Sequence, residues 1–137
     1  MAAEDGSPQE ESEPLSPYVP LFVAIEHEGD GYPFTQIHSG LTAVPNNMAL
    51  GATWNPAHAQ TVGRIVGAEL SALGINMLFG PSVDVLEIPR PESPGSLGTR
   101  TFGGDPYWVG LMGQAYTSGV HIGSDGHIAV IAKHFPG

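Results

Sequence analysis

Ionisable side chains follow three separate apolar segments of this chain. PLFVAIE ends in Glu26, INMLFGPSVDV carries Asp84 near its end, and HIAVIA is followed directly by Lys133 and His134. Carboxylates can act as general acids, bases or nucleophiles, and a pair of them hydrolyses glycosides. They can also bind sugars by accepting hydrogen bonds from vicinal hydroxyls. The spacing alone does not distinguish a catalytic acid from one that only binds a sugar.

The Lys-His pair admits several chemistries, of which one is favoured. A Schiff-base role needs a desolvated, neutral lysine amine, whereas neighbouring carboxylates favour the charged ammonium form. We therefore interpret Lys133 as a fixed cation that donates hydrogen bonds to substrate hydroxyls. A Ser-His-Asp triad is weakly supported, because no nucleophile-elbow sequence accompanies His134.

Two helices must connect the three apolar segments. Residues 55–74 carry Asn55 as a helix N-cap, proline at the first helical position and glycine after the end. Residues 105–123 repeat this pattern with Asp105 as the N-cap. Gly63 and Gly67 lie one turn apart, and we expect them to let the first helix approach a sheet closely.

The order of these elements predicts an α/β fold with about three parallel strands and two to three helices. Strands alternating with helices form parallel sheets with right-handed crossovers. A doubly wound fold would carry a tight glycine-rich phosphate loop, and neither GxGxxG nor GxxxxGK[ST] is present. The loops after the strands are long, as in a (β/α)8 barrel, and a whole barrel takes about 250 residues. The chain is therefore predicted to be part of a TIM barrel, with its strand-end residues at one ligand-binding edge.

Composition excludes several classes of function. The formal charge is −10, and the only cations are Arg64, Arg90, Arg100 and Lys133. Nucleic acid is not an expected partner, since its binding needs a basic surface. No membrane span or secretory signal is visible, so a cytoplasmic location is the default expectation. The chain has no cysteine and no HxH or HExxH spacing, and we expect neither a metal nor a cofactor.

Four motifs in order give the chain a specific resemblance. They are PLFVAIEHEGD, ELSALGINMLFGPSVDV, LGTRTFGGDP and KHFPG, and together they extend from about Pro20 to the last residue. They resemble glycoside hydrolase family 3, and KHFPG is most similar to the β-N-acetylhexosaminidase branch. The remaining residues, 1–19, hold five acids in the first thirteen positions and are predicted to be a disordered acidic leader before a partial barrel domain over 20–137.

The resemblance implies sugar-binding roles at the strand ends. It assigns substrate binding to Glu26, Arg100, Lys133 and His134, and gives Asp84 a supporting position beside them. We expect Glu26 to be surrounded by the two cations and the imidazole, and the Phe135–Pro136 peptide to be cis. The family's nucleophile and acid/base map to positions beyond Gly137, so no catalytic residue is expected in this chain.

The sequence also departs from the family pattern. The family usually has aspartate at the position of Glu26, and a glycine followed by valine and arginine where DGYPFTQI stands. The longer Glu26 side chain implies a change in the sugar's position or identity. The segment that carries the first barrel strand is replaced by the acidic leader, so the missing remainder of the barrel is an expected partner.

Two hypotheses from different classes follow. The first is a fragment of a retaining β-N-acetylhexosaminidase or β-glucosidase that hydrolyses O-glycosyl bonds through a glycosyl-enzyme, with a small carbohydrate as substrate. The second is a non-catalytic sugar-binding or remnant module. Under either hypothesis we predict the fragment alone to be inactive.

Overall fold

A three-stranded parallel sheet forms the centre of the molecule. The computed structural model describes residue 19 and residues 21–29, 35–88 and 97–135. Its strands are β1 (Ala24–Ile25), β2 (Met77–Ser82) and β3 (Ala129–Lys133), in the order β1-β2-β3. Both pairings are parallel, so the predicted α/β class and strand direction are confirmed.

Three helices and one short turn connect the strands. They are α1 (Asn47–Gly51), α2 (Pro56–Ala72), a 3₁₀ turn (Gly98–Arg100) and α3 (Pro106–Gly123). Both predicted N-caps form, because Asn55 accepts from the Ala57 amide at 3.1 Å and Asp105 accepts from the Trp108 amide at 2.7 Å. The sequence analysis did not predict α1, which lies in one of the long loops expected after the strands.

The strands differ in extent from their apolar segments. β1 covers only two residues of PLFVAIE, whereas β2 covers six residues of INMLFGPSVDV and continues through the Gly80–Pro81 pair. The pairing of β2 with β3 shifts register between Phe79 and Ser82. The predicted cis Phe135–Pro136 bond and nearly all of the predicted leader lie outside the described residues. The cis peptides that the structure describes are Gly80–Pro81 and Lys133–His134.

One face of the sheet packs against α2 and α3 and forms the core. Alternate strand residues point to this face, and the helices contribute a stripe of aliphatic side chains. The buried members are Ile25, Leu50, Ala59, Val62, Val66, Leu70, Leu78, Phe102, Val109, Met112, Tyr116, Val120 and Ile128. The other face of the sheet exposes Phe79 and Ile131, which are register partners on β2 and β3.

Glycines let α2 and α3 come into backbone contact. A Cβ built on Gly67 would lie 2.3 Å from the Val120 carbonyl oxygen, and one built on Gly123 would lie 2.0 Å from that of Arg64. Gly63 meets the Tyr116 carbonyl in the same way, at 2.2 Å. The expectation that Gly63 and Gly67 approach the sheet is therefore wrong, because the surface they approach is the neighbouring helix α3.

Gly67→Ala is expected to lower the free energy of unfolding by about 1–3 kcal/mol, because the added methyl group must push the backbones of α2 and α3 apart. The matched control is Gly110→Ala on α3, where an added Cβ meets nothing within 4 Å. Alanine favours helix over glycine by up to about 1 kcal/mol, so the control should be neutral or stabilising. Urea unfolding of both variants measures the difference. Equal stability of the Gly67 variant and the parent would contradict the close contact.

No helix within the described residues is both long enough and apolar enough to cross a membrane.

Candidate functional site

The candidate site includes two glutamates that directly follow β1. Glu26 and Glu28 are separated by one residue, so in extended backbone their side chains point to the same face. The Glu26 side chain is 34% exposed, whereas that of Glu28 is 1% exposed. One carboxylate is thus accessible to a ligand and the other is enclosed beneath the surface.

Lys133, at the end of β3, connects these two carboxylates. Its Nζ donates to Glu26 Oε1 at 2.9 Å and lies 3.5 Å from Glu28 Oε1. Its side chain is 12% exposed. The ammonium group is therefore held at a fixed point between β1 and β3, with only a small part of it open to solvent.

Arg100 reaches the buried glutamate from the other side. Its NH1 lies 3.6 Å from Glu28 Oε2, and the Arg100 side chain is 8% exposed. Helix α1 contacts the 3₁₀ turn that carries Arg100, because Asn47 Nδ2 donates a hydrogen bond to the Arg100 carbonyl at 2.7 Å. Glu28 thus lies between two cations, which offset the cost of burying its charge.

Asp84 organises the other side of the site around His134. Asp84 Oδ2 accepts from the Ser82 hydroxyl at 2.8 Å and from the His134 backbone amide at 3.3 Å, and lies 2.7 Å from His134 Nδ1. An ionised carboxylate can only accept hydrogen bonds, so Nδ1 carries the proton in this pair. In the neutral imidazole Nε2 is then the acceptor, and the His134 side chain is 55% exposed.

Burial alone would raise the pKa of Asp84. The hydrogen bonds from His134 and Ser82 together lower it by more than burial raises it, so the pKa lies below its usual 3.8. A carboxyl group whose pKa is lowered by folding contributes stability above its unfolded pKa. That contribution is lost as pH falls through the folded pKa.

Asp84→Asn is therefore expected to cost about 1–3 kcal/mol of unfolding free energy at pH 7, with the difference from the parent shrinking below about pH 4. Urea unfolding at pH 7, 5 and 3.5 measures both effects. Asp125→Asn, at an exposed turn position after α3, is the control and should match the parent at pH 7. A constant difference across the three pH values would contradict an ionised Asp84.

The structure brings the five predicted site residues to one edge of the sheet but pairs them differently from the expectation. The predicted grouping around Glu26 is wrong for Arg100, which contacts Glu28, and for His134, which contacts Asp84. Of the residues expected around the Glu26 carboxylate, Lys133 is the one that contacts it, at 2.9 Å, in the part of the chain that the structure describes. The separation arises because Asp84 follows β2, the central strand, and lies directly beside the end of β3.

Glu28 is the residue to which sequence reasoning gave no role. The two-residue spacing from Glu26 was the available signal, since it places both side chains on one face. Its burial could not be read from the sequence, because Arg100 and Lys133 lie far away along the chain. With Glu28 included, three carboxylates face two cations, and the net charge is −1 with a neutral imidazole.

Among the residues that the structure describes, no group of three or more histidine, aspartate or glutamate side chains is arranged to hold a metal ion.

The fold defines the class of domain: a portion of a parallel α/β barrel, a fold in which ligands bind at the carboxyl ends of the strands. The chain belongs to glycosyl hydrolase family 3, since its residues 7–137 match the model of the N-terminal domain of that family. The resemblance found in the four motifs is thereby confirmed.

The relatives that the chain matches are enzymes of much greater length. The chain is 38% identical over 120 residues to a β-N-acetylglucosaminidase/β-glucosidase of Cellulomonas fimi, covering 87% of this chain and 20% of that protein. It is 34% identical over 124 residues to a β-hexosaminidase of Thiobacillus denitrificans, covering 86% and 32% respectively. It thus spans about a fifth to a third of these relatives.

A solved structure agrees with the fold. The family 3 β-N-acetylglucosaminidase from Paenibacillus sp. str. FPU-7 superimposes with a TM-score of 0.75 at 40% identity, over 87% of this chain and 21% of that one. The described strands and helices therefore correspond to a portion of a larger barrel domain.

Proposed function

We propose that this chain forms the sugar-binding part of a retaining family 3 glycoside hydrolase of the β-N-acetylhexosaminidase or β-glucosidase type. The observation that carries the proposal is Lys133, held between Glu26 and Glu28 at the ligand-binding edge of the sheet. Family membership and the names of the relatives support a carbohydrate as the ligand.

In this proposal each group contributes one kind of hydrogen bond to the sugar. Glu26 accepts from a hydroxyl group, while Lys133 donates to a neighbouring sugar oxygen. His134 accepts at Nε2, because its Nδ1 proton is directed at Asp84. Arg100 acts mainly through Glu28, since only 8% of its side chain is exposed. Such an arrangement binds vicinal hydroxyls and fixes the orientation of the ring.

Bond cleavage requires a nucleophile and an acid/base that we place beyond Gly137. Retention needs a covalent glycosyl-enzyme that water then hydrolyses. In this proposal Glu26, Glu28 and Asp84 do not form it, because each is held by Lys133, Arg100 or His134 in a binding or positioning role. The proposed division is thus between residues that hold the sugar, in this chain, and residues that react with it, in the following segment of the barrel.

The test compares residues 1–137 with the product of the reading frame extended past Gly137. We expect the longer product to hydrolyse a chromogenic N-acetyl-β-glucosaminide or β-glucoside and the 137-residue chain to show no turnover above background. Turnover by residues 1–137 that disappears on Glu26→Ala or Asp84→Ala would place the chemistry in this chain. A stop codon directly after Gly137 together with sugar binding would favour the non-catalytic module.

A further inference from the structure

Two tryptophans line a cavity that shares no described residue with the site at Glu26 and Lys133. Trp54 directly precedes the N-cap of α2, and Trp108 lies in the first turn of α3. Their ring centroids are 4.9 Å apart and their planes are inclined by 31°. The cavity has a volume of about 360 Å³, and its remaining wall comes from Met48, Gly51, Ala52, Leu86 and residues 102–105. We call this space the Trp54 cleft.

Neither the backbone nor the core explains why a tryptophan occupies position 54. The φ angle of Trp54 is 53°, in the left-handed region where glycine or asparagine is favoured and a bulky residue is a rare outlier. Burial does not account for the residue either, because Trp54 is 72% exposed. A large apolar side chain that is held in a disfavoured conformation and is open to solvent indicates a functional contact outside the core.

Trp108 supports the Trp54 ring from one side. Trp108 is half-buried, and its indole Nε1 donates to the Gly51 carbonyl at 3.1 Å. A centroid separation of 4.9 Å is too short for two indoles that lie side by side, so Trp108 lies against one face of Trp54. An aromatic cage surrounds a cation with several ring faces, whereas the Trp54 cleft presents a single open face. A ligand with a flat ring therefore fits best.

The charge on the wall of the cleft restricts the ligand further. Among the described residues that line the cleft, Asp105 is the ionisable one, and it is exposed. Its Oδ1 accepts from the Trp108 amide at 2.7 Å, and a carboxylate has about four acceptor positions, so Asp105 can also accept from a ligand hydroxyl. A pyranose ring meets both conditions, because its C–H bonds pack on the negative face of an aromatic ring and its hydroxyl groups surround the edge.

We propose that the Trp54 cleft binds one pyranose ring of an oligosaccharide, stacked on Trp54 and hydrogen-bonded through a hydroxyl to Asp105. The choice of a sugar over another flat ring rests on the function proposed above. Phe102 in the wall of the cleft follows Arg100 by two residues, so one loop contributes to both sites. The cleft is thus a second sugar-binding position, additional to the one at Glu26 and Lys133.

NMR titration of the 137-residue chain with cellobiose tests the proposal. The chain has two tryptophans, so two indole N–H signals are expected, and Trp54→Phe identifies the signal of Trp54. We expect a saturable shift of that signal and of the Gly104 and Asp105 amides. Trp54→Ala should weaken the binding measured at those amides about 10-fold, while Trp54→Phe, which keeps a flat ring, should stay within about 3-fold of the parent.

Tyr107→Ala is the control for the loss of an exposed aromatic ring. Tyr107 is 75% exposed and directly follows Pro106 on α3, but it does not line the cleft. The affinity of this variant should remain within about 2-fold of the parent. Lys133→Met should leave the Trp54 response unchanged, so failure of the proposal for Lys133 can be distinguished from failure of this one.

A linear, unsaturated shift of the Trp54 signal would overturn the proposal. Equal cellobiose affinity in the parent and in Trp54→Ala would overturn it as well. Loss of the Trp54 response in a folded Lys133→Met variant would assign that response to the first site and would also contradict the proposal. Choline, a cation without a flat ring, should bind more weakly than cellobiose, and tighter binding of choline would show that the cleft selects a cation instead of a sugar.

Discussion

Glu28→Gln is expected to lower the free energy of unfolding by about 3–5 kcal/mol, one of the two largest effects predicted for this chain. The substitution preserves the shape of the side chain but removes a charge that is 1% exposed and lies between two cations. Arg100 loses its 3.6 Å contact with Glu28 Oε2, and Lys133 loses one of its two carboxylate contacts but keeps Glu26 Oε1 at 2.9 Å. Urea unfolding at pH 7 measures the loss.

Glu87→Gln provides the matched control, since it makes the same chemical change at an exposed position. It should alter stability by no more than about 0.5 kcal/mol. If Glu28→Gln fell within that same range, the buried ion pairs would not contribute as described.

Lys133→Met is expected to weaken binding of N-acetylglucosamine or glucose by about 30- to 1,000-fold, as for loss of a buried charged partner worth about 2–4 kcal/mol. The methionine side chain keeps much of the apolar stem but cannot donate to a sugar oxygen. It also removes the 2.9 Å contact between Lys133 and the Glu26 carboxylate. Isothermal titration or NMR titration of the 137-residue chain gives the affinities.

Arg64→Met is the control for this measurement. Arg64 is exposed on α2, and its removal changes the net charge of the chain as much as removal of Lys133 does. Its sugar affinity should equal that of the parent. If both variants bound sugar as the parent does, the ligand would not contact Lys133 and the sugar-binding assignment would be wrong. Far-ultraviolet circular dichroism of each variant separates loss of binding from loss of fold.

The fold was predictable because its signals are local. The N-caps Asn55 and Asp105 mark both long helices, and the apolar segments mark the strands. The extent of β1 was not predictable, since pairing with β2 decides which residues of an apolar segment form a ladder. The contact of Gly67 with α3 was not predictable either, because a glycine in a helix does not indicate which element packs against it.

The candidate site was predictable as a set of residues but not as a set of pairs. Strand-end positions placed Glu26, Asp84 and Lys133 at one edge before any contact was known. Which acid meets which base depends on side-chain direction and on the path of the loop that carries Arg100. The resulting arrangement divides the acids into an exposed carboxylate and a buried one. Sequence spacing contains no information on such burial.

The strand order has a consequence for how the chain is made. Because the order in the sheet equals the order in the sequence, each strand emerges during synthesis after its first neighbour is already available. β2 can pair with β1, and β3 with β2, without waiting for a later segment, which suits the N-terminal-first folding of growing chains. The Lys133 contacts with Glu26 and Glu28 come last, since they need all three strands. Translation therefore completes this edge of the sheet only when residues 129–134 have left the ribosome.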